Sequence, residues 1–107
     1  VVSGTGTKTL LIRGVGATLG GFGVAGVLQN PQLVIHKDNG ATVVASNDNW
    51  NNDATVTSTS QTLGAFALTS TSDAALVVTL PPGVYTATVS GVGDTTGIAL
   101  VEVYDAD

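Results

Sequence analysis

The sequence predicts an all-β fold, a single antiparallel β-sandwich of jelly-roll or immunoglobulin-like type spanning residues 1–107. Two observations carry this prediction. Short β-branched runs recur between clusters of Gly, Asn, Asp and Pro, and no stretch keeps the apolar period near 3.6 residues that a helix needs. The length suits one hydrophobic core, so one domain is expected.

Six segments have the composition of strands: residues 8–13, 32–36, 42–46, 74–80, 84–89 and 97–104. Weaker strand candidates are residues 1–2 and 22–27 and part of 54–68. The segment 97–104 is apolar on both faces as far as Glu102, which predicts a central strand. Arg13 ends another apolar run, and we expect it to pair with Glu102 or Asp105, because a buried charge needs a partner.

Two turns have recognisable chemistry. Residues 38–40, Asp-Asn-Gly, tolerate positive φ and predict a β-hairpin. Residues 81–83, Pro-Pro-Gly, predict that the strand 74–80 turns back and pairs with 84–89. Alternation then places two sets of side chains on one core, with threonines on the opposite face. The two sets are Leu76, Val78 and Leu80, and Tyr85, Ala87 and Val89.

Composition excludes several classes of function. Three basic residues against eight acidic ones leave a net charge of −5, which disfavours nucleic acid and anionic membranes as partners. The chain contains no cysteine, so disulfides, zinc thiolates and a cysteine nucleophile are ruled out. No apolar run is long enough for membrane insertion.

No catalytic set is recognisable either. Residues 21–26 match G-x-G-x-x-G, yet Pro31 follows too soon for the helix that a dinucleotide loop requires. The single histidine, His36, has no accompanying nucleophile motif and is expected to be a solvent-facing strand residue. We therefore predict that the chain is not an enzyme.

The most polar stretch is residues 47–53, in which every residue but Trp50 is Asn or Asp. Ca²⁺ takes six to eight such oxygen ligands, so calcium is a candidate cofactor with Asn47, Asp48, Asn49 and Asp53 as ligands. Asp38 joins them if the two loops converge. The spacing is not that of an EF-hand, and the alternative is a structural loop of Asx turns.

Trp50 also has two interpretations. An exposed indole beside Asn51 offers a stacking platform for a glycan, whereas a buried indole covers one end of a thin core. The sequence leaves both open.

Several blocks keep a recognisable order along the chain: residues 9–16, 22–24, 30–33, 45–50, 64–68, 73–76, 80–87 and 96–105. Together they resemble a domain of large exported proteins of Verrucomicrobia and related bacteria. They are also distantly similar to bacterial pre-peptidase C-terminal domains, which are jelly-roll-like sandwiches. The resemblance implies export and modular use without catalytic residues, and it implies Asp38, Asn47 and Asp48 as calcium ligands. Ala17 stands where the family pattern has Pro, which implies a looser turn.

The expected function is accordingly a non-enzymatic, extracellular structural or adhesive module. It is expected to pair strands with itself or with neighbouring domains, as a filament or surface subunit, with residues from Val1 onward extending towards a neighbour. The alternative is a calcium-assisted carbohydrate-binding module of a secreted protein. Glycan binding and calcium dependence distinguish the two.

Overall fold

Six strands form two three-stranded antiparallel sheets in the computed structural model, which describes residues 1–107. The strands are β1 (Lys8–Val15), β2 (Pro31–Lys37), β3 (Thr42–Asn47), β4 (Ala74–Leu80), β5 (Tyr85–Gly91) and β6 (Leu100–Asp105). The first sheet has the order β4-β1-β6, and the second has the order β3-β2-β5. The mostly-β prediction and the six strong strand segments are therefore confirmed.

The two sheets face each other across a core of small and medium aliphatic side chains. Ile12 of β1 and Ala74 of β4 contact Leu33 and Ile35 of β2. Around them pack half-buried residues of both sheets: Leu10, Ala45, Leu76, Val78, Tyr85, Ala87 and Val89. The prediction that β4 and β5 contribute alternate residues to one core is confirmed.

The predicted pairing between β4 and β5 is wrong. β4 pairs with β1 and β5 pairs with β2, so residues 81–83 carry the chain from one sheet to the other. A Pro-Pro-Gly turn reverses the chain without specifying which strand takes the hydrogen bonds. The hairpin at residues 38–40 is confirmed, since it joins β2 to β3 with φ of 58° at Asp38 and Asn39.

An α-helix, α1 (Ala54–Leu63), occupies a region where we predicted part of a strand. Its composition of Thr, Ser and Val favours strands, but local signals override it. The side chain of Asp53 caps the first turn by accepting from Val56 N–H at 3.0 Å, and Gly64 ends the helix in the left-handed conformation. The spacing of Val56, Ser60 and Leu63 then places one face against the first sheet.

The helix adds a third layer to the expected two. On the outer face of the first sheet, Leu11 and Ala75 pack against Val56 and Trp50 as a second buried cluster. β1 is therefore covered on both faces, which explains its continuous apolar run.

Specific hydrogen bonds and single β-bridges, rather than strands, hold the loops in place. Residues 23–27 follow the 3₁₀ segment Ala17–Phe22 and contribute only a bridge between Val27 and Ile98, so the strand predicted at residues 22–27 is wrong. Buried Asp73 accepts from Gly16 N–H at 2.8 Å and from the Thr18 hydroxyl. Val2 exchanges two backbone hydrogen bonds with Gly83, so it lies against its own domain rather than reaching towards a neighbour.

The prediction of a central position for the last strand is wrong. β6 is an edge strand that pairs only with β1. Its apolar character on both faces has another origin. One face meets the helix-side cluster through Tyr104, and the other carries valines that the second sheet does not cover.

Candidate functional site

The unpaired edge of β6 combines exposed valines with free backbone groups. Val101 and Val103 are opposite Gly14 and Ile12 in the β1 ladder, so their side chains point to the face that carries the core between the sheets. Nevertheless Val101 is 45% exposed and Val103 is 57% exposed. We call residues 101–105 of β6 the open edge.

One hydrogen bond shows which residues of β6 direct their backbone N–H and C=O groups away from the sheet. Ala106 N–H donates to Thr9 O at 2.9 Å, and successive residues of an antiparallel strand direct their backbone groups to opposite sides. Glu102 and Tyr104 therefore bond to β1, whereas Val101, Val103 and Asp105 direct N–H and C=O away from the sheet. These outward groups are available to pair with another strand.

A groove of about 440 Å³ lies beside the open edge, between the two sheets. Its walls include Leu10 and Ile12 of β1, Ile35 of β2, Ala87 of β5 and Val103 of β6. The main contacts between the sheets are those of β2 and β3 with β1 and β4, and the groove lies where β5 and β6 face each other without such close packing. Leu10, Ala87 and Val103 are partly or largely exposed along this groove, whereas Ile12 and Ile35 form its buried floor.

The two carboxylates of the open edge are each neutralised by a cation from β1. Lys8 Nζ lies 3.0 Å from Asp105 Oδ2, and Arg13 Nε lies 2.9 Å from Glu102 Oε1. The backbone N–H of Asp107, followed by Lys8, lowers the pKa of Asp105. The hydrogen bond to Asp105 in turn raises the pKa of Lys8.

The side chain of Arg13 has no exposed surface. It lies under the Phe66 ring, 4.5 Å from the centroid, and its Nη1 donates to Phe66 O at 2.8 Å. The contact with Glu102 is an ion pair by distance, although the Nε–H is not aimed at that oxygen. Tyr104 donates to the other Glu102 oxygen at 2.7 Å, and this bond raises the pKa of Tyr104. The predicted pairing of Arg13 with Glu102 is confirmed, and its role is structural.

Two other sheet edges carry features that oppose strand addition. The β2–β3 ladder has a register irregularity between Ile35 and His36, and such irregularities disfavour pairing at an edge. On β4, Ala75 N–H is already taken by the side chain of Asn47 at 3.1 Å. Neither kind of protection occurs along the open edge of β6.

The structure separates Asp38 from the other predicted calcium ligands. Asp38 lies in the β2–β3 turn and Asn47 at the far end of β3, about 17 Å away at the usual rise of a strand. Asn47 binds Ala75 N–H, and Asp53 caps α1, while Asp48 and Asn49 are exposed. The expected convergence of Asp38 with residues 47–53 is therefore wrong, because β3 holds them apart. No three His, Cys, Asp or Glu side chains are grouped so that they could hold a metal ion.

Trp50 is 7% exposed, and its Nε1–H donates to Ser70 O at 2.8 Å. Its ring faces Leu11 and Val56 in the helix-side cluster, so it presents no platform for a sugar, and the glycan hypothesis for this residue is corrected. Asn51 is exposed at φ 52° in the turn that leads to α1. Residues 50–53 thus shape the start of the helix.

No protein-family model, curated protein or solved structure matches the chain. None of its helices has the length and apolar character needed to cross a bilayer. The open edge is the feature that sequence reasoning located but misread. The signal was a strand with apolar residues on both faces, in which Glu102 lies between Val101 and Val103.

Proposed function

We propose that the chain is a non-enzymatic structural or adhesive module of an exported protein, which assembles by accepting a β-strand at its open edge. The observation that carries the proposal is Val103: it points to the core face yet is 57% exposed beside an apolar groove. An added strand would pair with the outward backbone groups of β6 and cover these side chains.

The architecture supports this assignment. Every connection other than the β2–β3 hairpin crosses from one sheet to the other, as in a β-sandwich of jelly-roll or immunoglobulin-like type. With three strands in each sheet, such a sandwich leaves the core uncovered at the side of β6. A further strand supplied in trans would complete it.

Peptide binding tests strand acceptance. A fluorescent peptide with the sequence of residues 97–107 should bind the protein saturably, as measured by fluorescence anisotropy at low protein concentration. Val103→Pro removes an outward N–H without breaking the β1 ladder, so we expect about tenfold weaker binding or worse. Val103→Thr keeps the N–H and the branched shape, so it should bind nearly as well as the natural chain.

Emission from Trp50, the only tryptophan, reports whether each variant is folded. Absence of peptide binding to the folded natural chain would reject strand acceptance. Accessibility of the full-length protein to protease on intact cells of its source tests the extracellular location separately.

A further inference from the structure

The open edge of one copy can in principle pair with the open edge of another copy. Such a contact uses the same surface twice, so it must be self-complementary in backbone, side chains and charge. The backbone condition is met because Val101, Val103 and Asp105 direct N–H and C=O outward, and antiparallel pairing matches such residues with one another.

Charge favours this surface for contact between copies. Each copy carries a net charge of −5, so unpaired acids repel when two copies meet. On the open edge, however, Asp105 is paired with Lys8 and Glu102 with Arg13. Four exposed aliphatic residues of the segment 98–103 accompany these neutralised acids: Ile98, Leu100, Val101 and Val103.

The positions of the acids also select one register. Antiparallel pairing about a two-fold at Glu102 would place the two Glu102 side chains opposite each other, which is unfavourable. A two-fold at Val103 instead puts Val103 opposite Val103, Glu102 opposite Tyr104 and Val101 opposite Asp105. No acid then faces an acid, and the residues 101–105 all find partners. Two-folds at Val101 or Tyr104 pair fewer residues of the strand β6.

We propose that two copies of the chain pair antiparallel through β6, with the two-fold at Val103, to form a continuous sheet of order β4-β1-β6-β6-β1-β4. This inference rests on strand acceptance at the open edge and names the partner strand. Because a two-fold contact closes on itself, the product is a dimer rather than a filament.

Single cysteines test both the partner and the register, because the chain has no cysteine of its own. In the proposed dimer the two Val103 Cα atoms lie about 5.5 Å apart. The two Val101 positions lie four residues out of register, about 14 Å apart along the strands. With a short bis-maleimide, Val103→Cys should give mainly crosslinked dimer, and Val101→Cys should stay almost entirely monomeric.

Sedimentation of the natural chain over a concentration series should show a monomer–dimer equilibrium that Val103→Pro abolishes and Val103→Thr keeps. Equal crosslinking of the two cysteine variants, a natural chain that stays monomeric, or growth of filaments would overturn the proposed dimer. A monomeric chain that still binds the peptide of residues 97–107 would reject only the dimer, whereas absence of both would reject strand acceptance as well.

Discussion

The two faces of the β4-β1-β6 sheet are covered to different extents. The helix-side face is closed: Trp50 and α1 cover Leu11, and even the charged Arg13 has no exposed surface. The opposite face is covered over β1 and β4 by the second sheet, but it is open over β6, where Val103 is 57% exposed. The β4-β1-β6 sheet is thus covered along its whole width on the helix side and only in part on the other side.

The difference shows what each face contributes. Burial of apolar side chains on the helix side supplies folding free energy, and the buried charge of Arg13 has Glu102 beside it as its counter-charge. Exposed valines on the open side supply little, and their burial is left for an association step. If this division is right, mutations of the same chemistry should differ in effect according to the face they touch.

The largest effect should come from breaking the ion pair on the closed face. Arg13→Met leaves Glu102 largely buried without its cation, and we expect a loss of about 3 kcal/mol in the free energy of unfolding. The double variant Arg13→Met with Glu102→Leu should recover most of it, because no uncompensated charge remains. Urea unfolding followed by Trp50 fluorescence measures both. A single variant as stable as the natural chain would show that the pair contributes little.

A matched pair of valines compares the two faces directly. Val15 has no exposed surface and alternates with Leu11 and Arg13 onto the helix side, so Val15→Ala should cost about 2 kcal/mol. Val103→Ala removes the same two methyl groups from a mostly exposed site and should cost less than about 0.5 kcal/mol in the monomer. Thermal unfolding at low protein concentration gives both values. Equal losses would mean that the open face is closed in solution by other means.

The same contrast explains what could be predicted from the sequence. Short β-branched runs bounded by turn residues identified the six strands, and the Asp-Asn-Gly turn identified the hairpin because few residues adopt positive φ. The edge position of β6 in its sheet could not be predicted in this way. A strand apolar on both faces is ordinarily central, whereas here Tyr104 packs on the helix side and Val103 faces a groove.

Residues 47–63 show a second limit of prediction from the sequence. Asn and Asp side chains suit a cation and a helix N-cap equally well, and Thr and Ser favour no helix by themselves. Asp53 as a cap, Gly64 as the end and the spacing of Val56, Ser60 and Leu63 were the signals for α1. Trp50 could not be placed on the surface or in the core before the helix that buries it was known.

The helix cap gives a smaller effect that also separates the two interpretations of the Asn–Asp loop. Asp53→Ala removes the acceptor for Val56 N–H, so stability should fall by about 1 kcal/mol. The loss should be the same in millimolar calcium and in chelator, since the cap needs no ion. Asp48→Ala, at an exposed neighbour, is the control and should change little. A loss from Asp53→Ala that appears only with calcium would restore the ion-binding hypothesis.

The smallest effect belongs to the ion pair at the end of the open edge. The folded state lowers the pKa of Asp105, through the backbone N–H of Asp107 and through Lys8. Its contribution is therefore complete above the unfolded pKa near 3.8 and is lost as the pH falls through the lower folded value. Asp105→Asn should remove that part of the acid dependence, and stability at neutral pH should change only slightly because both groups are exposed. A carboxyl titration of Asp105 by NMR measures the shift directly. An unshifted pKa would mean that Asp105 is not paired with Lys8 in solution. The argument that two open edges meet without charge repulsion would then fail.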